Sequence, residues 1–320
     1  MVNVGYALSS EDHGPVDLVR FAAAAEEMGF KTAWVSDHYH PWIDAQGNSP
    51  FVWSVLGGIA QATRRLRIGT GVTCPIIRIH PAIVAHATAT TAVMLRGRFF
   101  FGVGSGENLN EHILGHRWPP ADVRLEMLEE AVEVIRLLWQ GGVQSHYGKH
   151  YTVEDARLYN VPEEPPPIYM SAFGPKAIEV AARISDGYVG TSPDAELVSS
   201  FVEQAGADKP CLAGAKCCWG EDEAAARKLA HERWPNMGLP GELAQELRTP
   251  KHFEQASSIV TEDMVADSIP CGPDPERYVA SLTSYAEAGY DEVYLHNIGE
   301  DQEGFLRFFQ REVRPRLEEE

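Results

Sequence analysis

The sequence has few cysteines, and their spacing argues against a disulfide scaffold. The five cysteines are odd in number and include no Cys-x-x-Cys pair. Such usage is typical of a reducing compartment, where cysteines serve as small apolar side chains. A chain of 320 residues can bury a large core without cross-links or a structural metal.

Basic residues are also scarce, since 27 Lys and Arg stand against 46 Asp and Glu, for a net charge of −19. A surface this acidic repels phosphate groups, so neither nucleic acid nor an anionic membrane is expected as a partner. No segment reaches the roughly 18 uninterrupted apolar residues of a bilayer-spanning helix. The first ten residues, MVNVGYALSS, lack the basic and apolar regions of a signal peptide. We therefore expect a cytoplasmic protein that acts on a small molecule.

What the sequence does contain is a regular alternation of strand-like and helix-like segments. Predicted strands lie at residues 3–8, 32–37, 67–72, 99–106, 167–172, 186–192, 209–220 and 292–299. Each is followed by a segment of helical periodicity, and several of these segments begin at a proline. Eight successive βα units predict an α/β fold, a closed (β/α)8 TIM barrel rather than an open sheet.

Two segments interrupt the alternation. Residues 143–163 are predicted to form a β-hairpin, and residues 235–272 form a long insertion before the last helix and strand. Long insertions in compact domains are often lids or binding loops. No linker, repeat or low-complexity tract appears, so residues 1–320 are predicted to form a single domain with these two insertions.

The active site of such a barrel lies at the carboxyl ends of its strands, where this sequence carries acids, imidazoles and an indole. The candidates are Glu11 after strand one, Asp37, His38, His40 and Trp42 after strand two, Gly71, Val72 and Cys74 after strand three, and Ser105, Glu107, Asn108 and Asn110 after strand four. Each could be an ordinary loop residue, but their convergence at neighbouring strand ends predicts a functional site.

Two other interpretations of these residues fit less well. The glycine-rich segment after strand four lacks the third glycine of the dinucleotide-binding GxGxxG pattern. The pair His38 and His40 would suit zinc. A zinc site needs further ligands at later strand ends, however, and only His296 is available there. No metal is therefore predicted.

Three motifs together resemble the luciferase-like barrel superfamily: SDHYHPW after strand two, TCPIIRIHPAIVAHATAT after strand three and GVGSGENLNE after strand four. They are most similar to its branch that depends on the deazaflavin coenzyme F420, typified by F420-dependent glucose-6-phosphate dehydrogenase and related alcohol dehydrogenases. The similarity extends from Gly5 to the C-terminal helix. It implies a TIM barrel, coenzyme F420 as cofactor, hydride transfer at a CH–OH group and a homodimer.

The resemblance also implies roles for single residues. His38 would take the hydroxyl proton of the substrate, Trp42 would pack near the cofactor ring, and Glu107 would assist protonation near its pyrimidine edge. Asp37 would contact the cofactor, and Gly71–Val72 matches a non-prolyl cis peptide of the family. The further cofactor-binding positions are Cys74, Ser105, Gly106, Asn110, Phe173, Gly174, Lys176 and Ala177.

General chemistry supports these roles. Alcohol oxidation needs a base near the O–H, and an imidazole suits this task, with Glu11 as a further catalytic candidate. The hydride needs an acceptor that protein side chains do not supply. A cofactor tail rich in phosphate needs donors, and Lys176, at a helix start after Gly174, can provide them.

The sequence departs from the glucose-6-phosphate enzymes where these hold the substrate phosphate. Asp194 aligns with a lysine on their strand six, Asp267 aligns with a late arginine, and no lysine aligns near Ala244. Carboxylates repel a phosphate dianion, whereas Thr191 remains as a hydrogen-bonding group. The predicted substrate is therefore a hydroxyl-bearing alcohol or sugar without phosphate, with Thr191 and Asp194 as its contacts.

Alternatives remain open at this point. An FMN-dependent monooxygenase would share the same fold, and fold alone does not decide between the two. A metal-dependent hydrolase and a binding protein without catalysis are further hypotheses. If the alignment misplaces the insertion, Lys251 or Arg248 could hold a phosphate, and the chain would be a glucose-6-phosphate dehydrogenase.

Overall fold

Eight parallel strands close into a barrel in the computed structural model, which describes residues 2–319. The strands of the described part are β1 (Asn3–Leu8), β2 (Thr32–Val35), β3 (Arg67–Thr70), β4 (Phe99–Val103), β5 (Gln144–Tyr147), β6 (Thr152–Ala156), β7 (Ile168–Ser171), β8 (Gly187–Gly190), β9 (Cys211–Cys217) and β10 (Glu292–Asn297). All except β5 and β6 belong to the barrel, which β10 closes against β1 with Asn3 opposite Glu292. The predicted (β/α)8 barrel is confirmed.

The helices surround the barrel and fill its long insertion. Those of the described part are α1 (Pro15–Glu27), α2 (Val52–Ala62), α3 (Pro81–Leu95), α4 (Asn108–Glu111), α5 (Ala121–Trp139), α6 (Pro175–Ile184), α7 (Ala195–Ala205), α8 (Glu223–Arg233), α9 (Leu243–Glu246), α10 (Pro250–Ser257), α11 (Glu262–Ala266), α12 (Pro275–Glu287), α13 (Gln302–Phe308) and α14 (Arg314–Glu319). Several begin at proline, which has no N–H to leave unpaired in the first turn. None of the described helices is long and apolar enough to cross a membrane.

The inside of the barrel is filled by large side chains that alternate along the strands. This interior cluster consists of Ala7, Trp34, Phe100, Tyr169, Val189, Leu212 and Tyr294, with Val72 packed against it. Trp34 and Tyr294 stack with ring centroids 4.1 Å apart. Gly214 makes room for them, because a Cβ there would lie 2.9 Å from the Trp34 ring. The interior of the barrel is therefore a packed core and not a channel.

The segment 143–163 contains the antiparallel pair β5 and β6, which lies outside the barrel. Glu130 of α5 holds this hairpin, since its carboxylate accepts the backbone N–H groups of His150 and Tyr151 at 2.9 and 2.8 Å. His146 adds a contact to Glu130 at 3.2 Å. Glu130 and Glu126, which pairs with Lys149, thus attach the hairpin to α5.

The insertion 235–272 contains the three short helices α9, α10 and α11. Phe253 of α10 packs with Ile43 and Trp42 of the loop after β2 and with Leu109 of α4. The insertion therefore covers one side of the barrel opening and touches the loops that carry the candidate site.

Candidate active site

A buried ion cluster fixes the loop that follows β2. Oδ1 of Asp37 accepts a hydrogen bond from Nη2 of Arg78 at 2.9 Å, and Oδ2 accepts one from the Thr73 hydroxyl at 2.8 Å. The backbone N–H of Arg78 donates to Glu111 at 2.7 Å. Burial raises the pKa of Glu111 to about 7, although Arg78 acts to lower it. Because both carboxylate oxygens of Asp37 are engaged within the protein, its contact with a cofactor stays a prediction.

Asn110 sets the orientation of His38. Its Oδ1 accepts the backbone N–H groups of Tyr39 and His40 at 2.9 and 3.1 Å, so its Nδ2 must point the other way. Nδ2 lies 3.1 Å from Nδ1 of His38. An amide N–H donates, so this contact requires the ring proton on Nε2, whereas a contact of Nδ1 with a carbonyl oxygen requires the proton on Nδ1. The carbonyl oxygen of His40 lies 3.2 Å from the same Nδ1.

Glu11 lies at the other nitrogen of this imidazole. Its Oε1 is 3.3 Å from Nε2 of His38, and its side chain is buried. The Glu11 Oε2 accepts hydrogen bonds from the hydroxyls of Ser36 and Ser9 at 2.6 and 2.9 Å. The carboxylate is therefore fixed by hydrogen bonds from residues that follow β1 and β2, and it lies close enough to Nε2 to stabilise a positive charge on His38.

Trp42 and Glu107 lie next to this pair. The rings of Trp42 and His38 have centroids 4.9 Å apart, and the Trp42 ring meets Phe253 of the insertion edge-on at 5.2 Å. Oε2 of Glu107 accepts a hydrogen bond from Nδ2 of Asn110 at 3.3 Å. The structure thus brings together four predicted catalytic residues from three strand ends.

The ends of β3 and β4 carry further predicted cofactor-binding positions. The peptide bond Gly71–Val72 is cis, at the position where the resemblance implies it. Cys74 is buried, and a Cβ at Gly106, which has φ of +78°, would collide with its sulfur. Ser105 is partly exposed beside it. Glycine at 106 is therefore required both by its backbone conformation and by the close approach of the two loops.

The end of β7 presents backbone donors. Gly174 precedes α6 without any side-chain cap, so the first N–H groups of the helix are open to an anion. Phe173 is exposed beside them and Ala177 is partly buried. Lys176 is exposed and pairs with Asp122 at 2.9 Å. The amides, more than the lysine charge, are the free donors here.

The proposed substrate contacts have structural roles of their own. Oδ1 of Asp194 accepts the N–H groups of Glu196 and Leu197 at 3.1 Å each and so caps α7. Thr191 is exposed at the end of β8. Asp267 pairs with Arg227 of α8 at 3.3 Å. Both acids are engaged locally, and a role of Thr191 and Asp194 toward a substrate stays a prediction.

His40 does not face the same way as His38. Its Nδ1 contacts the carbonyl oxygen of Leu109 at 3.0 Å, and its ring stacks on His112 with centroids 5.8 Å apart. Within residues 2–319, no group of three or more His, Cys, Asp or Glu side chains has the geometry to hold a metal ion.

Several residues of this region were missed by the sequence analysis. Arg78 neutralises Asp37, and Asp12, Lys216 and Trp234 lie beyond Glu11 on its other side. For Lys216 the sequence offered one signal, because a lysine inside the otherwise apolar strand β9 is unusual. The contacts of Arg78 and Asp12 join distant parts of the chain and leave no local pattern.

Comparison with known proteins identifies the family. The model of the luciferase-like monooxygenase family matches residues 3–292. The F420-dependent glucose-6-phosphate dehydrogenase of Microbacterium testaceum (strain StLB037) is 36% identical, over 98% of this chain and 96% of the relative. The enzyme of the same name from Amycolatopsis mediterranei (strain U-32) is 34% identical, over 99% of both chains.

Solved structures give the same result. An F420-dependent secondary alcohol dehydrogenase in complex with an F420–acetone adduct superimposes with a TM-score of 0.91 and 30% identity, over 99% of both chains. The coenzyme F420-dependent tetrahydromethanopterin reductase of Methanopyrus kandleri has a TM-score of 0.79 over 99% of both chains. Its identity of 23% supports the fold alone.

Proposed function

Because this chain belongs to the luciferase-like monooxygenase family, we propose that it is a coenzyme F420-dependent oxidoreductase that acts on a CH–OH group. One observation carries the proposal: His38 lies between Glu11 and Asn110, beside Trp42 and Glu107, at the open end of the barrel. The three relatives described above that are at least 30% identical to this chain are F420-dependent enzymes, and each matches 98–99% of it.

The residues at the strand ends fit this cofactor. The uncapped N-terminus of α6 offers backbone N–H groups to the phosphate of the cofactor tail. Val72 and Gly106 present small or apolar surface for a flat ring, and Ser105 and Asn110 add polar groups. When bound, the deazaflavin accepts or donates the hydride. Glu107 and Trp42 then supply the polar and aromatic contacts that its change of charge requires.

His38 and Glu11 act as one acid–base unit in this proposal. In the tautomer with its proton on Nδ1, which the carbonyl oxygen of His40 at 3.2 Å accepts, His38 leaves Nε2 free as a base. Nε2 then takes the proton of a substrate hydroxyl, and the Glu11 carboxylate, with Oε1 3.3 Å away, stabilises the imidazolium that forms. The pair therefore takes up the hydroxyl proton in oxidation and returns it in reduction.

The substrate we propose is an alcohol or sugar without a phosphate group. The resemblance places Asp194 and Asp267 at the positions where the glucose-6-phosphate enzymes bind phosphate with cations, and neither residue is a cation. Their carboxylates add negative charge that opposes a phosphate dianion. We further propose that the protein is cytoplasmic and forms a homodimer.

The decisive experiment combines cofactor titration with a base variant. F420 is expected to bind the purified protein, and His38→Ala is expected to lower turnover about 10²–10⁴-fold while leaving F420 affinity nearly unchanged. His112→Ala, at a more exposed imidazole, is the matched control. Tight binding of FMN without binding of F420 would refute the proposal. Near-normal turnover of His38→Ala would move the base to Glu11 or His40.

A further inference from the structure

A second polar cluster lies inside the open end of the barrel, next to Glu11. We call it the Lys216 cluster, and it consists of Asp12, Lys216, Trp234 and His296. Lys216 of β9 and His296 of β10 are paired directly across the two strands.

Strand alternation sends both side chains into the barrel. Leu212 and Tyr294 belong to the interior cluster, and Lys216 and His296 follow them by four and two residues. Even spacing along a strand keeps side chains on the same face. Lys216 and His296 therefore form the next layer of the barrel interior, toward its carboxyl end.

Asp12 holds this cluster together. Its Oδ2 accepts hydrogen bonds from Nε1 of Trp234 at 3.0 Å and is 3.0 Å from Nε2 of His296. Nζ of Lys216 lies 4.7 Å from the ring centroid of Trp234. Glu11 precedes Asp12 in the chain and contacts His38. The cluster is thus continuous with the acid–base pair.

Lys216 is the unsatisfied member. Its ammonium donates no hydrogen bond to any of residues 2–319, although its side chain is only partly exposed. Burial lowers the pKa of Lys216, while the carboxylates of Glu11 and Asp12 act to raise it. A shielded ammonium without a hydrogen-bond acceptor is unfavourable. A ligand whose oxygen accepts a hydrogen bond from Lys216 therefore binds more tightly at this position.

The local charge indicates what kind of oxygen fits. The carboxylates of Glu11 and Asp12 lie near the single ammonium of Lys216, so these three side chains together carry one net negative charge. That negative charge repels a phosphate. A hydroxyl group is uncharged, and its oxygen accepts a hydrogen bond from the ammonium. The site therefore suits neutral hydroxyl groups.

We propose that Lys216 is a specificity-determining residue that donates a hydrogen bond to a second hydroxyl of the substrate. The substrate class is accordingly a neutral polyhydroxylated compound, such as an unphosphorylated sugar or cyclic polyol, rather than a simple monoalcohol. The inference rests on the proposed function, since the oxidised hydroxyl is the one at His38.

The test compares matched substrates with oxidised F420. Wild-type protein is expected to oxidise at least one neutral polyol (myo-inositol or glucose) with a kcat/KM at least about tenfold above cyclohexanol and 2-propanol, and above glucose-6-phosphate. Lys216→Met is expected to raise KM for that polyol at least about tenfold and to change KM for cyclohexanol less than about twofold. Lys228→Met, on exposed α8, is the control, and calorimetric titration of the polyol into F420-loaded protein gives a readout independent of turnover.

The outcomes separate the two proposals. Failure to bind F420 would overturn the proposed function itself. Binding of F420 with equal use of monoalcohols and polyols, or an unchanged polyol KM in Lys216→Met, would overturn only the role of Lys216. A preference for glucose-6-phosphate that Lys216→Met abolishes would show that the lysine binds phosphate instead. Lys216→Arg, which keeps the charge, and a thermal melt of each variant exclude loss of fold as the cause.

Discussion

At the scale of single residues, the buried cluster of Asp37, Arg78 and Glu111 couples the candidate site to pH. Nη2 of Arg78 lies 2.9 Å from Oδ1 of Asp37, whereas Nε of Arg78 lies 3.5 Å from Oε1 of Glu111. Glu111 is therefore the carboxyl that burial affects more, and its pKa rises to about 7 from an ordinary 4.5. Its protonation state changes close to neutrality, a few residues from Glu107 and Asn110.

The sign of its effect on stability follows from linkage. Between pH 4.5 and 7 the native state keeps the Glu111 proton, while the unfolded chain releases it. Because the native state binds more protons than the unfolded chain in this window, the free energy of unfolding of the wild-type protein decreases as pH rises through it. Glu111→Gln removes the titration, so the stability of the variant relative to wild type should rise by about 3 kcal/mol from pH 4.5 to 7. Urea unfolding at a series of pH values measures it.

Glu133→Gln, on the exposed face of α5, is the control and should show a flat difference over the same range. If the stability difference between Glu111→Gln and wild type did not change with pH, the Glu111 carboxyl would be ionised over the whole range. Arg78 would then offset the effect of burial on its pKa.

The sequence predicted those candidate site residues that come together simply because each follows a barrel strand. His38, Glu107 and Glu11 follow barrel strands, and the barrel brings strand ends together whatever the loops do. It did not predict Arg78 or Lys216, because their importance comes from partners on other strands and from the direction of a side chain. The cofactor contact that the resemblance implies for Asp37 stays a prediction, and the structure adds that Arg78 and Thr73 engage both of its carboxylate oxygens.

At the scale of elements, Arg124 connects the insertion to the barrel. This α5 side chain is buried, with its guanidinium 4.4 Å from the Trp118 ring centroid. Nη1 donates to the Pro119 carbonyl at 2.8 Å and to Glu246 of α9 at 3.1 Å, and Nη2 donates to Gln245 at 3.2 Å. One side chain thus holds the short helix α9 against the loop before α5.

Arg124→Met should therefore cost about 2–4 kcal/mol of stability, because it removes the hydrogen bonds that the buried guanidinium donates to three acceptors. It should also expose the segment around α9 to limited proteolysis before the barrel is cut. Glu246→Gln is the matched variant, and it should cost less than about 1 kcal/mol, since Glu246 is half exposed. Equal losses in both variants, or no new cleavage near α9, would contradict this role of Arg124.

The elements of the barrel were predictable where those of the insertion were not. β1 lies at Asn3–Leu8, as its alternation and β-branched residues predict, whereas β9 is shorter than the predicted 209–220. The insertion consists of helices of four to eight residues, too short for a helical period to be recognised. Its order comes from packing, such as that of Phe253 on Ile43 and Leu109, which depends on residues far away in sequence.

At the scale of the whole molecule, the outer faces of α2 and α3 retain apolar side chains that the barrel does not cover. Phe51, just before α2, is 55% exposed, and Ile83 and Val93 of α3 are 60% and 44% exposed. The opposite faces of both helices pack on the strands, through residues such as Leu56 and Val84. A net charge of −19 keeps copies apart in general, so association must occur where charge is sparse and apolar surface is exposed.

We therefore expect the proposed homodimer to form through this surface. The double variant Phe51→Glu and Ile83→Glu places two carboxylates in the apolar contact, and burying them without partners is unfavourable. Sedimentation should give wild-type protein twice the mass of the 35.3 kDa chain and give the double variant the mass of one chain at micromolar concentration. Ile259→Glu, at an equally apolar residue that is 76% exposed in the insertion, should leave the dimer intact. A concentration-independent 35.3 kDa species for wild type would refute the dimer, and dissociation by Ile259→Glu alone would move the interface from α2 and α3 to the insertion.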